Sequence, residues 1–253
     1  MEYYAQKKII IIEYINIMKG EYKMAIWISS DFHFNHSKPF IYEPRGFSSP
    51  DEMNKIIIDN FNELVKPEDD VYVLGDLMLG GAENHEKGLG LISWLNGKLH
   101  IIRGNHDSDK RWEAYQTLNN VVECETAMFL KYEKYHFYLS HFPCICSNYD
   151  DKGLKHSTIN LCGHSHTKDK WQDIDKGIIY HCELDAHDNK PILLDNIIED
   201  LKEYYKLIKI EEKKNITPRC DKCVYLQETC GQTDKDGQCF KYRRDPPDGG
   251  YYG

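Results

Sequence analysis

The chain has 253 residues, of which 41% are hydrophobic and 29% charged, with a formal net charge of −9; this suits one sizeable α/β domain with short extensions. An acidic surface argues against an overall nucleic-acid grip, and no apolar run approaches the ~20 residues that span a bilayer. No stretch reads as a secretory signal, so a cytoplasmic location is expected, with Cys124, Cys144, Cys146, Cys162 and Cys182 as buried thiols rather than disulfides.

Residues 1–23 stand apart. Lys7 to Met18 carries an isoleucine-rich run with helical spacing, followed by Lys19-Gly20-Glu21-Tyr22-Lys23 just before Met24. Those five residues can be encoded by a ribosome-binding stretch upstream of a Met24 start. The segment is therefore either a mis-assigned start or an amphipathic N-terminal extension.

From Met24 onward, short apolar runs predict strands at Ala25–Ile28, Val71–Leu74, Leu99–Ile102, Tyr135–Leu139, Ile159–Cys162 and Ile178–His181, compatible with burial on both faces. Between the first two lies the clearest helix. Ser49 is an N-cap, Pro50 occupies the first helical position and Glu52 the third; Met53, Ile56, Ile57, Phe61 and Leu64 then repeat at helical spacing. Weaker helices are predicted at 84–96 and 109–119, and a closing helix from Asn196 to Lys213. Alternating strands and helices predict a layered α/β domain over residues 24–213, in which ligands gather where strands end.

Five polar segments follow these runs: Asp31-Phe32-His33, Gly75-Asp76, Gly104-Asn105-His106-Asp107, His141, and Gly163-His164-Ser165-His166. Asp, Asn and His together are what two divalent metals sharing a carboxylate require, and a pair roughly 3.5–4 Å apart can activate water and clamp a phosphoryl group. Mixed imidazole and oxygen ligands suit Mn, Fe, Zn or Co rather than Mg or Ca.

In order and content the five segments resemble those of the calcineurin-like metallophosphoesterase superfamily, over roughly residues 24–195. That resemblance implies a fold of layered, sandwich-like sheets flanked by helices. It implies Asp31, His33 and His166 as ligands of a first metal, Asn105, His141 and His164 as ligands of a second, and Asp76 as the bridge. His106 resembles the group that protonates the leaving oxygen or steadies the transition state, and Asp107 is a candidate to orient its ring. The implied reaction is hydrolysis of a phosphate ester by a metal-bridged hydroxide, a phosphodiester being favoured. A phosphomonoesterase, a nucleotide phosphatase and a catalytically silent metal-binding scaffold are the alternatives. The protein Ser/Thr phosphatases fit poorly, because Gly75-Asp76-Leu77-Met78-Leu79-Gly80-Gly81 lacks their further Asp and Arg.

One bacterial and phage branch of the superfamily resembles the stretch from His36 through Arg45-Gly46-Phe47, which makes His36 and Arg45 candidates to contact substrate phosphate. Asp185, His187, Asp188 and Asn189 form a polar strand-end loop, read as structural. His85, His100, His136, His156 and His181 are read as structural too. In the tail, Cys220, Cys223, Cys230 and Cys239 fall within 20 residues of one another, enough for one structural zinc in a Cys-rich extension over 214–253. An iron–sulfur cluster or free thiols are the other readings. Basic and aromatic residues alternate at the end of the chain, but its Pro and Gly content reads more plainly as a flexible terminus than as a nucleic-acid contact.

Overall fold

In a computed structural model that describes residues 24–80, 85–146, 158–174 and 177–215, the apolar runs become two five-stranded sheets flanked by helices. The N-terminal extension, His156 and the four tail cysteines lie outside the described residues.

The first sheet contains β1 (Ile26–Ser29), β2 (Asp70–Val73), β3 (Lys98–Ile102), β4 (Val121–Glu125) and β10 (Ile192–Leu193), in the order β10-β1-β2-β3-β4. Strands β1 to β4 are parallel and β10 is antiparallel. Parallel neighbours need crossovers, here supplied by α1 (Pro39–Tyr42), α2 (Pro50–Leu64), α3 (His85–Ser93) and α4 (Asp109–Tyr115). The second sheet contains β5 (Ala127–Tyr132), β6 (Tyr135–Ser140), β7 (Thr158–Cys162), β8 (Trp171–Ile174) and β9 (Gly177–His181), in the order β5-β6-β7-β9-β8. Its centre, β6-β7-β9, is parallel, and both edges are antiparallel.

Helix α2 forms for the reasons legible in its sequence. The Ser49 hydroxyl accepts from the Glu52 N–H at 3.2 Å, and Glu52 in turn accepts from the Ser48 N–H at 2.7 Å. The helix buries Met53, Ile57, Ile58 and Phe61 and stops at Val65, whose backbone is extended ahead of Pro67. That face packs on Phe32, Phe34, Val71, Val73, Leu99 and Ile101. By strand alternation, Ile28, Tyr72 and Ile102 face the other way.

Four strands escape the sequence pattern. β4 and β5 are edge strands with half-exposed faces, including Val122 and Phe129; β8 is also an edge, and β10 is two residues long. No residue of β4 or β5 is fully buried, so no period-2 signal is imposed there. The weaker helices are present but shorter than predicted, at His85–Ser93 and Asp109–Tyr115, whereas the last is longer, α5 running from Leu194 to Asn215. The body of the protein ends at Ile197, and a second unit begins at Ile198. Among the described residues no helix is long and apolar enough to cross a membrane.

His100 is a satisfied structural histidine. Its ring lies 2.5 Å from Glu123 and 2.9 Å from Asp70, stacked on Tyr72. His181 likewise sits 3.2 Å from the buried Glu183.

The packing and the cap predict distinct costs in urea unfolding. Ser49→Ala should lose about 1 kcal/mol, and Phe61→Ala about 3–5 kcal/mol through the cavity it opens.

Candidate metal centre

Where β1 ends, every second residue adopts left-handed backbone: Asp31 (φ 58°), His33 (φ 50°) and Asn35 (φ 63°). The segment runs beside Gly75–Leu77, with Asp31 N–H donating to the Gly75 carbonyl at 3.1 Å and His33 N–H to that of Asp76 at 3.0 Å. Phe32 and Phe34, between them, are fully buried in the core below. Asp76 (φ 55°), His164 (φ 73°) and His166 (φ 49°) share this strained conformation. Five of the seven expected ligands thus hold backbone that Asp and His adopt only at a cost. Two motif glycines are required by close approach. A Cβ at Gly104 would stand 2.2 Å from the Asp76 carboxylate, and one at Gly163 2.2 Å from that of Asp31.

All seven expected ligands converge. Asp31 Oδ1 lies 3.6 Å from His33 Nε2 and 3.7 Å from His166 Nε2. Asp76 Oδ2 lies 3.8 Å from His33 Nε2 and 3.5 Å from His141 Nε2, so it stands between the two groups of histidines. Asn105 Oδ1 lies 2.7 Å from His141 Nε2 and 2.8 Å from His164 Nδ1. Asp31, His33 and His166, and again Asp31, Asp76 and His141, offer ligand atoms within 4.8 Å of one another.

The hydrogen bonds behind these groups show what they are prepared to hold. His141 Nδ1 faces the Leu74 carbonyl at 2.8 Å and must carry the proton there, which leaves Nε2 as a lone pair opposite Asn105 Oδ1. His166 Nδ1 faces Asp185 at 2.9 Å, leaving its Nε2 as a lone pair 3.0 Å from His33 Nε2. Asp31 Oδ2 accepts from the Ser30 hydroxyl (2.6 Å) and the His164 N–H (2.8 Å), whereas its buried Oδ1 has no donor. A His141 lone pair facing the Asn105 oxygen, and a buried carboxylate oxygen without a donor, fit cations between them. Burial raises the Asp31 pKa, but the surrounding imidazoles of His33, His141 and His166 outweigh it, holding the carboxyl at about 2. For His166, burial lowers the pKa and the Asp185 carboxylate more than reverses it.

Arg45 is placed otherwise than as a phosphate contact. Its guanidinium is buried beneath His166, with Nε and Nη2 gripping Asp185 at 3.0 and 2.6 Å and the remaining donors on the carbonyls of Asp31 (2.7 Å) and Phe32 (3.2 Å). Its donors are spent on the loop that carries the ligands, and Asp185 is the partner that sequence reading treated as merely structural. Asp107 does not reach the His106 ring either. It accepts from the N–H groups of Asp76 (2.9 Å) and Gly104 (2.8 Å) and from the Tyr115 hydroxyl (2.9 Å), and burial raises its pKa.

His36 and His106 face an open cleft of about 820 Å³, together with His33 and His166. Burial, with the charges of His33 and His106, lowers the His36 pKa to about 4, so its ring is neutral near pH 7. The His106 side chain is 44% exposed, its Nε2 3.9 Å from Asp76 Oδ2. Its backbone is held on both sides: the N–H donates to Asp76 Oδ1 at 2.8 Å, and the carbonyl accepts from Arg111 at 2.6 Å. Arg111 also grips the Gly80 carbonyl at 2.7 Å. Neither Arg111 nor Tyr115 carried any signal in the sequence. Ser30 was marked only by its place beside Asp31.

Two substitutions read this arrangement through metal retention. Asp185→Asn should weaken Mn²⁺ binding by about 10- to 100-fold through loss of His166 orientation. Gly163→Ala should abolish stoichiometric binding by displacing Asp31. Calorimetric titration with Mn²⁺, beside unfolding of the metal-free proteins, checks both.

Residues 24–180 match the calcineurin-like phosphoesterase superfamily domain. An uncharacterized protein of Methanocaldococcus jannaschii is 34% identical over 177 residues, which cover 69% of this chain and 89% of that protein. The gene 66 protein of Mycobacterium phage D29 is 34% identical over 82 residues, 32% of this chain and 40% of its own length. A protein of unknown function from Aquifex aeolicus, at 20% identity, shares the fold with a TM-score of 0.52 over 70% of this chain and 99% of its own. With a family match over more than half its length, the chain belongs to the calcineurin-like phosphoesterase superfamily.

Proposed function

We propose that this protein hydrolyses a phosphate ester at a two-metal centre, with a phosphodiester favoured. The observation that carries the proposal is the convergence of His33, His166, His141 and Asn105 on the buried carboxylates of Asp31 and Asp76, with Asp31 Oδ1 left without a donor. Asp31, His33 and His166 would hold one divalent metal of the Mn, Fe, Zn or Co class, and Asn105, His141 and His164 the other. The place of Asp76 Oδ2 between His33 and His141 supports its role as the bridge. Such a pair supplies an activated water and neutralises charge on the phosphoryl oxygens.

The chain's own groups do the rest. His106 stands exposed at the cleft beside Asp76 and donates a proton to the departing ester oxygen. Its backbone grip by Asp76 and Arg111 fixes where the ring can reach. His36, neutral and facing the same cleft, offers a hydrogen bond rather than a charge to the bound ester. The cleft of about 820 Å³ is large enough for a second ester arm as well as the phosphate, and on that ground a diester is favoured over a monoester.

Turnover of bis(p-nitrophenyl) phosphate should exceed that of p-nitrophenyl phosphate, vanish on chelation and return with Mn²⁺. His106→Ala should lower kcat by about 10²- to 10⁴-fold while Mn²⁺ binding persists. Arg111→Ala should lower kcat by roughly 10- to 100-fold through misplacement of His106, with KM little changed. Metal binding without turnover of either ester would reject catalysis and leave a metal-binding scaffold.

A further inference from the structure

A row of rings leads from the metal centre to the rim of the cleft. His166 and His33 lie nearly parallel with centroids 4.9 Å apart, His33 and His36 meet edge-on at 5.6 Å, and His36 and Phe40 meet edge-on at 5.4 Å. Phe40 is 68% exposed, while its neighbour Ile41 is buried. The turn that presents it is held in place. Pro39 opens α1, the Glu43 N–H closes on the Pro39 carbonyl at 2.9 Å, and the Lys38 N–H donates to His36 Nδ1 at 3.1 Å. The wall beside Phe40 continues through Ile41, Pro44 and Leu79. Among the described residues lining the cleft, Lys38 is the one lysine or arginine.

Resting on the phosphoesterase reading above, we propose that Phe40 and Lys38 form a subsite for a planar ring carried by the ester, which makes the substrate class nucleotide-like. The phosphate sits at the metal centre, the ring stacks on the exposed face of Phe40, and the Lys38 ammonium meets anionic oxygens turned away from the metals. A rigidly presented aromatic at the mouth of a polar site favours flat π-systems irrespective of base identity. The apolar wall is short, so it suits one ring better than the acyl chain of a lipid. On a protein of net charge −9, a lysine on this rim also offsets repulsion of an incoming anion.

The test is calorimetric binding of adenosine 5′-monophosphate and ribose 5-phosphate to the Mn²⁺-loaded full chain. The wild type should bind the nucleotide about tenfold more tightly than the sugar phosphate, the size of one aromatic–base stack. Phe40→Ala should erase that difference and leave ribose 5-phosphate affinity as it was, whereas Phe40→Trp should keep it. Equal affinity of the two ligands in the wild type, or a parallel loss of both in Phe40→Ala, overturns the subsite alone. Binding of neither ligand, together with absent diester turnover, overturns the phosphoesterase reading and the subsite with it.

Discussion

Two carboxylates, Asp31 and Asp76, are buried among imidazoles, and the rest of the site is organised by what that burial requires. A carboxylate removed from water costs several kcal/mol unless donors or cations replace its hydration. Each is handled in the same divided way. Asp31 Oδ2 accepts from Ser30 and the His164 N–H, and Asp76 Oδ1 accepts from the His106 N–H. The second oxygen of each, Asp31 Oδ1 and Asp76 Oδ2, is turned toward the histidines. Because the donors come from other loops, satisfying one carboxylate docks the loop that carries the next functional group. The loop after β7 is fastened to the end of β1, and the loop after β3 to the end of β2.

That fastening explains why backbone strain gathers here. Left-handed residues at 31, 33, 76, 164 and 166 each cost free energy alone, and the motif glycines allow the loops to approach to distances no side chain would permit. The compensation comes from behind. Phe32 and Phe34 anchor the first loop in the core beside Phe61, while Arg45 and Asp185 brace its carbonyls and the His166 ring from the other side. Arg45 is thus a positioning residue. It acts through His166 and the Asp31 backbone, and its distance from solvent removes it from direct work on a phosphate.

Function divides along the same line between floor and rim. At the floor, charges are buried, tautomers are set by Leu74 and Asp185, and little can move without unmaking the hydrogen bonds behind it. At the rim, His106, Lys38 and Phe40 are exposed and free to meet a ligand. A rigid floor beneath an open, chemically varied mouth is how one fold can serve many functions.

The sequence by itself determined which Asp, Asn and His side chains are brought together and the elements that carry them. The chemistry demands particular side chains, and parallel strands buried by helices impose apolar runs that end where those side chains begin. The cap of α2 was equally legible, because a Ser, a Pro and a Glu act through bonds a few residues long. Only the tertiary structure decided the fate of Arg45, Asp107 and Asp185. Each is polar and lies near a motif, and nothing local to the chain shows whether it faces substrate or braces a ligand from behind. Arg45 and Asp185 are 140 residues apart, and Arg111 meets Gly80 across another long interval. The edge strands β4 and β5 were hidden for the complementary reason, since none of their residues is fully buried and nothing forces a pattern on the sequence. What depends on local bonding or on an unavoidable side-chain chemistry is written in the chain. What depends on which loop arrives beside which is settled only when the two sheets bring their strand ends together.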